Sequence, residues 1–310
     1  MTALPLAGTR VVDLTHFVAG PWCTMLLADL GADVVKIEPP GTGEIARRMG
    51  AVRAGGESAI YLAFNRNKRS VAMDLKEPDG RAAAREMVVG ADVVVQNFRP
   101  AAARRLGMDG PTLTDRHPRL VHCAISAFGV DGPYAERPGN DPIIQALSGA
   151  MFLGRAPGER PARMGVSLPD FAAGVLAAAS ITAALLRRTR TGRGAVLELN
   201  LLDTEMFAQI DHVVRVATDV GTPTDTPADL PVRALSEAFA ARPHTAVTVG
   251  HPDVASLRSA RTPVDATPPW PVEYRPPPRL GQHTAEVLAE LGYTGEVLDR
   301  LVARGVAGSD

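Results

Sequence analysis

The chain has little that would tie it to several common classes of protein. Two cysteines, Cys23 and Cys123, in 310 residues leave no room for a disulfide framework, so reduced thiols in the cytoplasm are the simpler reading. A net charge of −1 gives no general basic field for nucleic acid. The seven histidines are scattered, with no HExxH and no Cys/His pairing. His117 and His122 are a poor ligand pair, so no metal site is expected. There is no GxxxxGK[ST], and the turn THFVAGP at 15–21 is not GxGxxG, so an ordinary ATP or dinucleotide site has no support. The opening residues MTALPLAGTRVVDL lack a basic stretch followed by an apolar one, and no secretory signal is expected. The most apolar run, 171–186, is interrupted by Gly174, Ser180 and Thr182 and ends at Arg187 and Arg188. It reads as a buried helix and not as a membrane span. Neither a nucleic-acid partner nor a membrane partner is expected.

What is present is an ordinary globular composition, 45 % hydrophobic and 22 % charged, ample for a core. Apolar β-branched runs at 9–14, 32–38, 69–75, 91–97 and 119–126 alternate with helix patterns over 21–31 and 77–90. The block LGADVV at 30–35 returns as VGADVV at 89–94, each a helix end, a glycine turn and a strand. Continuous runs suit a parallel sheet covered on both faces, so the fold class is α/β with a doubly wound parallel sheet. Ligands are then expected at the carboxyl ends of the strands. Helices are predicted at 141–150, 170–188 and 202–221, with a strand at 195–201. Residues 221–280 hold 12 of the 26 prolines and read as an irregular arm or a reduced second domain. Two short helices close the chain, the first with Thr284 as its expected cap.

Three stretches carry chemistry. NRNKRS (65–70) places two amides and three cations just before a predicted strand. NFRP (97–100) ends another strand and leads to Arg104 and Arg105. Arginine and lysine there suit phosphates, and the alternative is a pair of solvated charged turns. In GVSLPDFAAG (165–174), Asp170 precedes the apolar run. It reads as a helix N-cap, or as a carboxylate kept ionised for attack by a helix N-terminus.

These stretches occur together in one family. LAGTRVVDLTHFVAGPWCTMLLADLGADVVKIEPPGTGE, NRNKRSVAMDLKEPDG, ADVVVQNFRPAAARRLGMD and GVSLPDFAAGVLAAASITAALLRRTRTGRG resemble the family III CoA-transferases, a group that includes formyl-CoA and carnitine CoA-transferases and α-methylacyl-CoA racemases. The resemblance implies Asp170 as the nucleophile, and contacts to coenzyme A from Val18, Ala19, Asn65, Lys68, Arg69, Asn97, Phe98, Arg105 and Leu106. It places Asn140 and Asp141 against the substrate. It also implies a Rossmann-like large domain over 1–215, a reduced small domain over 216–262 and a returning segment over 263–310, in a homodimer of interlocked chains. Acyl-CoA and a free carboxylic acid are the implied small-molecule partners. Coenzyme A enters as substrate, with no permanently bound cofactor or metal.

The chain also departs from that family. Its racemases carry histidine where this chain has Asn140, and an amide cannot exchange protons at the needed pH. The second domain is short, and the glycine-rich loop that closes formyl-CoA transferase has no evident counterpart. CoA transfer through an aspartyl anhydride and an aspartyl-CoA thioester is therefore the first reading. A racemase or isomerase on the same scaffold and a CoA-binding protein without turnover are the alternatives.

Overall fold

Valine-rich runs with no polar alternation build the strands, because each strand is covered on both sides. The structure, a computed structural model, describes residues 4–130, 132–153, 159–209, 246–251, 254–260 and 275–308. β1 (Arg10–Leu14), α1 (Ala19–Asp29) and β2 (Asp33–Glu38) form the first strand–helix–strand unit. A small hairpin, β3 (Arg53–Ala54) and β4 (Glu57–Ser58), leads into α2 (Ala59–Phe64) and β5 (Lys68–Met73). Then come α3 (Pro78–Val89), β6 (Val93–Gln96), α4 (Pro100–Leu106), α5 (Gly110–Arg116), β7 (Val121–Ser126) and α6 (Asp141–Leu147). The long α7 (Leu168–Thr191), β8 (Ala195–Asn200) and α8 (Leu201–Ala208) follow. An antiparallel pair, β9 (Ala246–His251) and β10 (Val254–Ala260), precedes α9 (Thr284–Glu290), α10 (Glu296–Ala303) and β11 (Ala307–Gly308).

The main sheet runs β11-β5-β2-β1-β6-β7-β8. All its neighbours pair in parallel except β11, which joins β5 antiparallel. Counted along the chain, the six parallel strands lie in the order 3-2-1-4-5-6, the doubly wound arrangement that reverses between β1 and β6. The crevice beyond the carboxyl ends of those two strands is where such folds bind ligands. Alternate residues feed two cores. Val11, Val93, Val95 and Cys123 pack under α1 and α7, while Val12, Val94, Val71 and Met73 pack with α3, α9 and α10.

Several local expectations are corrected. β5 begins at Lys68, one residue earlier than expected, so Lys68 lies inside the sheet and not in the turn before it. Thr284 does not cap its helix. It is the first helical residue, and its hydroxyl accepts the Ala72 N–H at 3.1 Å, tying α9 to the sheet. The helix expected over 202–221 is described only as α8, and its continuation lies outside the described residues, as does most of 221–280. α7 is 24 residues long, and by length and composition it could cross a membrane. In this fold its apolar stripe packs on the sheet, and it carries Asp170 in its first turn.

The sheet also buries charge. Asp13, Lys36 and Lys68 are sealed beneath the start of α1. Lys68 Nζ donates to Asp13 Oδ2 at 3.0 Å, to Pro21 O at 2.9 Å and to Asn65 Oδ1 at 2.9 Å. Lys36 Nζ donates to Thr15 O at 2.6 Å and lies 3.9 Å from Asp13 and 3.5 Å from Glu44. Burial alone would push Asp13 up, but the two ammonium groups and the Thr15 and Thr24 hydroxyls hold it well below the usual carboxylate range. Burial draws Lys68 down to about 8, against the pull of Asp13. Removing the acid strands two buried cations. Asp13→Ala is therefore expected to cost about 3–5 kcal/mol, read as a lower urea midpoint, and Asp13→Ala with Lys68→Met should recover part of it. An unchanged midpoint for Asp13→Ala would show that the charges are not sealed.

Candidate active site

The turn after β1 is held from every side. Thr15 N–H and Oγ–H both donate to Asp13 Oδ1, at 2.8 and 2.5 Å. His16 N–H donates to Asn97 Oδ1 at 3.0 Å, and Asn97 Nδ2 donates back to His16 O at 2.8 Å. This reciprocal pair joins the turn after β1 to the turn after β6, across the point where strand order reverses. Phe17 N–H donates to Glu44 Oε2 at 3.0 Å. Phe17 itself sits at φ 67°, a left-handed conformation that costs a non-glycine residue about 1–3 kcal/mol and persists only where neighbours enforce it. The His16 ring rests on Phe98, with centroids 5.4 Å apart, and burial draws its pKa down to about 4.

The turn delivers Val18 as the cap of α1 and Ala19 as its first residue. Against this end lies α7. Its cap residue is Ser167, whose side chain makes no capping bond, and Pro169 sits in its first turn. Asp170 is the third helical residue, so the expected N-cap role is corrected. Its carboxylate instead lies close to the backbone N–H of Ala19, the first residue of the neighbouring helix, which favours its charged form. One turn on, Gly174 makes this approach possible. A Cβ there would stand 2.5 Å from Trp22 Cδ1 and 2.7 Å from Ala19 O, so a larger residue would push α1 and α7 apart. Phe171, Trp22 and Phe64 wall the contact in edge-to-face pairs, with centroids 5.6 to 6.0 Å apart.

Asp170 is half-buried, and its environment is acidic. Burial first, then the charge of Asp141, raise its pKa to about 7, against Arg163 and the Ala19 N–H. The two helix N-termini therefore do not keep it in the ordinary carboxylate range. Asp141, the first residue of α6, is buried. Its Oδ1 accepts Gln145 Nε2 at 2.8 Å and faces Arg163 Nη2 at 3.4 Å, while Oδ2 has no hydrogen-bond partner among the described residues. Glu205 of α8 is also fully buried. One of its oxygens takes Gln209 Nε2 at 3.2 Å and the other has no partner among the described residues. Burial and the proximity of Asp141 push Glu205 up, and burial pushes Asp141 up.

The structure brings together Val18, Ala19, Asp141 and Asp170, with Asn97 and Phe98 on the adjoining turn. Asn140 is exposed, and its Oδ1 caps α6 by accepting the Ile143 N–H at 3.3 Å. Arg105, exposed in the last turn of α4, has no ion pair among the described residues, and Leu106 beside it is half-buried. Lys68 and Arg69 lie elsewhere, at the amino end of β5. Lys68 is bound to Asp13 and Asn65. Arg69 is held by Asp33 at 2.6 Å, Glu290 at 2.7 Å and Glu286 at 3.0 Å. The two basic stretches therefore do not form one cluster. Arg163 and Glu205 were not singled out from sequence. The available signal for Glu205 was a charge one turn from Leu201, on the buried face of an apolar helix. Among the described residues no group of three or more His, Cys, Asp or Glu is arranged to hold a metal ion.

Residues 6–250 match the family model described as CoA-transferase family III. The chain is 41 % identical over 207 residues to succinate–glutarate CoA-transferase of Agrobacterium fabrum, covering 65 % of this chain and 52 % of that protein. It is 42 % identical over 201 residues to acetyl-CoA:oxalate CoA-transferase of Acetobacter aceti, covering 64 % and 51 %. The chain thus spans about half the length of the curated relatives it matches. Among solved structures, a CAIB/BAIF family protein from Brucella suis superposes with a TM-score of 0.76 at 26 % identity, over 94 % of this chain and 100 % of that one. Rv3272 from Mycobacterium tuberculosis gives 0.78 at 26 %, over 93 % and 100 %.

A carboxyl that titrates near 7 in the fold and near its ordinary value of 3.8 when unfolded contributes stability below the lower value and loses it as pH rises through the higher one. Carboxyl NMR of Asp170 should show an inflection near 7, moving downward in Asp141→Asn. Asp170→Asn should gain stability relative to the parent between pH 5 and pH 8. An inflection at ordinary carboxylate pH would contradict the burial described above.

Proposed function

The chain belongs to CoA-transferase family III, and from that premise we propose that it moves coenzyme A from an acyl-CoA to a free carboxylic acid, with Asp170 as the nucleophile. The observation that carries this reading is the Asp170 carboxylate itself. It is half-buried, poised near neutrality, and set against the N-terminus of α1 beside the strand-order reversal of the sheet. Ionised Asp170 attacks the thioester carbonyl of the donor, the C–S bond breaks, and CoA leaves as thiolate from a mixed anhydride. The thiolate then attacks the aspartyl carbonyl, which frees the donor acid and leaves an aspartyl-CoA thioester. The acceptor carboxylate attacks that thioester and expels the thiolate. Attack of the thiolate on the acceptor's carbonyl releases the new acyl-CoA and regenerates Asp170. The covalent route divides one difficult exchange into easier steps.

Coenzyme A reads best along the turns at the reversal point. Val18 and Ala19 supply backbone there, Asn97 and Phe98 form the wall, and Arg105 offers an exposed cation for phosphate, with Leu106 beside it. Asn65 and Lys68 act on that site from below, through the bond of Lys68 to Pro21 O that braces α1. Arg69 ties β2 and β5 to α9. The named acids of the relatives, succinate, glutarate and oxalate, are dicarboxylic, and a dicarboxylate is the acceptor class proposed here. The exposed apolar side chains of Val175, Leu186 and Phe207 suit burial in an interlocked homodimer, with residues 216–262 as its reduced small domain. Racemisation fares worse, because Asn140 caps a helix and carries no titratable proton.

Asp170→Ala should lose all detectable transfer and keep its affinity for CoA, since the side chain attacks and does not anchor. Hydroxylamine added with an acyl-CoA should convert Asp170 of the parent protein to a hydroxamate, seen by mass on its peptide. Normal turnover in the Ala variant would refute the mechanism. Tight CoA binding with no adduct from a panel of acyl-CoAs would favour a binding protein.

A further inference from the structure

The arginines that hold this fold together grip their partners closely and with two nitrogens. Arg47 meets Glu38 at 2.7 Å through both Nε and Nη2. Arg66 meets Asp29 at 3.1 and 2.6 Å, and Arg69 meets Asp33 at 2.9 and 2.6 Å. Arg163 is different. One nitrogen, Nη2, reaches both of its partners, Ser167 Oγ at 3.3 Å and Asp141 Oδ1 at 3.4 Å. Its Nε and Nη1 have no hydrogen-bond partner among the described residues. The side chain is 52 % exposed, while the Asp141 side chain beneath it is 4 % exposed. The guanidinium is thus lightly held, with most of its planar fork open.

Its position gives that fork a use. Among the described residues, Arg163 is the one cation whose charge acts on Asp170, against the acid Asp141, which itself adjoins Glu205. A doubly charged acid approaching this place meets two acidic side chains, Asp170 and Asp141, and among the described residues one cation. One of its carboxylates must come to the reacting centre. The other needs a cation a few methylenes away, and an arginine fork matches a carboxylate in two hydrogen bonds. Release of Arg163 by Asp141 is tolerable, because Asp141 keeps Gln145. That bond to Gln145, at 2.8 Å, does not depend on Arg163.

We propose that Arg163 determines substrate class at this site, binding the distal carboxylate of a dicarboxylic acid while the proximal carboxyl reacts at Asp170. This rests on the transferase reading above and narrows it to one residue.

The test compares glutarate with valerate, equal in carbon number and differing by one carboxylate, by calorimetry on the full chain with saturating CoA. The parent protein should prefer glutarate by roughly tenfold to a hundredfold, the range of a charge-assisted carboxylate contact. Arg163→Gln should abolish that preference by weakening glutarate alone, and Arg163→Lys should keep part of it. In a parallel transfer assay, Arg163→Gln should raise KM for glutarate more than it lowers kcat. A parent protein without the preference, or an Arg163→Gln variant that retains it, overturns the assignment. Selective glutarate binding in a protein that transfers nothing defeats the transferase reading and supports the assignment. Transfer to both acids without selectivity does the reverse.

Discussion

Everything at the carboxyl edge of the sheet depends on a buried set of charges that cannot leave. Asp13 is locked to Lys68 and adjoins Lys36, and all three sit under the first turn of α1. An ion pair in such a place adds little net stability over apolar packing, but breaking it is costly. Its value here is positional. Asp13 also holds the Thr15 N–H and hydroxyl, Lys36 holds the Thr15 carbonyl, and Lys68 holds the Pro21 carbonyl. The turn carrying the strained Phe17 is thereby fixed between two anchored points. The Ala19 N–H that meets Asp170 is fixed with it.

The same logic explains how a carboxylate near two helix N-termini ends up poised near neutrality. Helix ends favour its charged form by about 0.3–1 kcal/mol each in exposed positions. Burial between α1 and α7, with Asp141 close by, outweighs them. The close approach that Gly174 permits supplies both effects, the nearness of the Ala19 N–H and the loss of water. An acid so placed can be discharged or charged by small changes around it, which suits a group that must alternate between nucleophile, anhydride and thioester.

Much of this was legible in the sequence, for physical reasons. The strands are continuous β-branched runs, and the glycines at 31 and 107 end α1 and α4 where a left-handed residue is needed. Asp170 stood out because a single acid heads a long apolar helix. What could not be read was pairing at a distance. Lys68 and Arg69 looked like phosphate ligands because cations in a run resemble a solvated turn. Only the register of β5 against β2 shows that they face inward to Asp13 and Asp33. Glu205 and Arg163 lie 35 residues after Asp170 and seven before it. Both adjoin Asp141, brought there by the packing of α6, of α8 and of the segment before α7, which no local pattern encodes.

The helix that carries Asp170 runs on for 24 residues, about 36 Å at 1.5 Å per residue. Near its far end Arg188 grips Asp92 at 2.8 Å, and Asp92 in turn takes the Arg10 N–H at the opposite edge of the sheet. The reacting group is therefore mounted on a stiff rod clamped at its remote tip. Substitutions at that clamp, about 27 Å along the helix from Asp170 at 1.5 Å per residue, would tilt the rod and degrade the aim of the carboxylate without touching its surroundings.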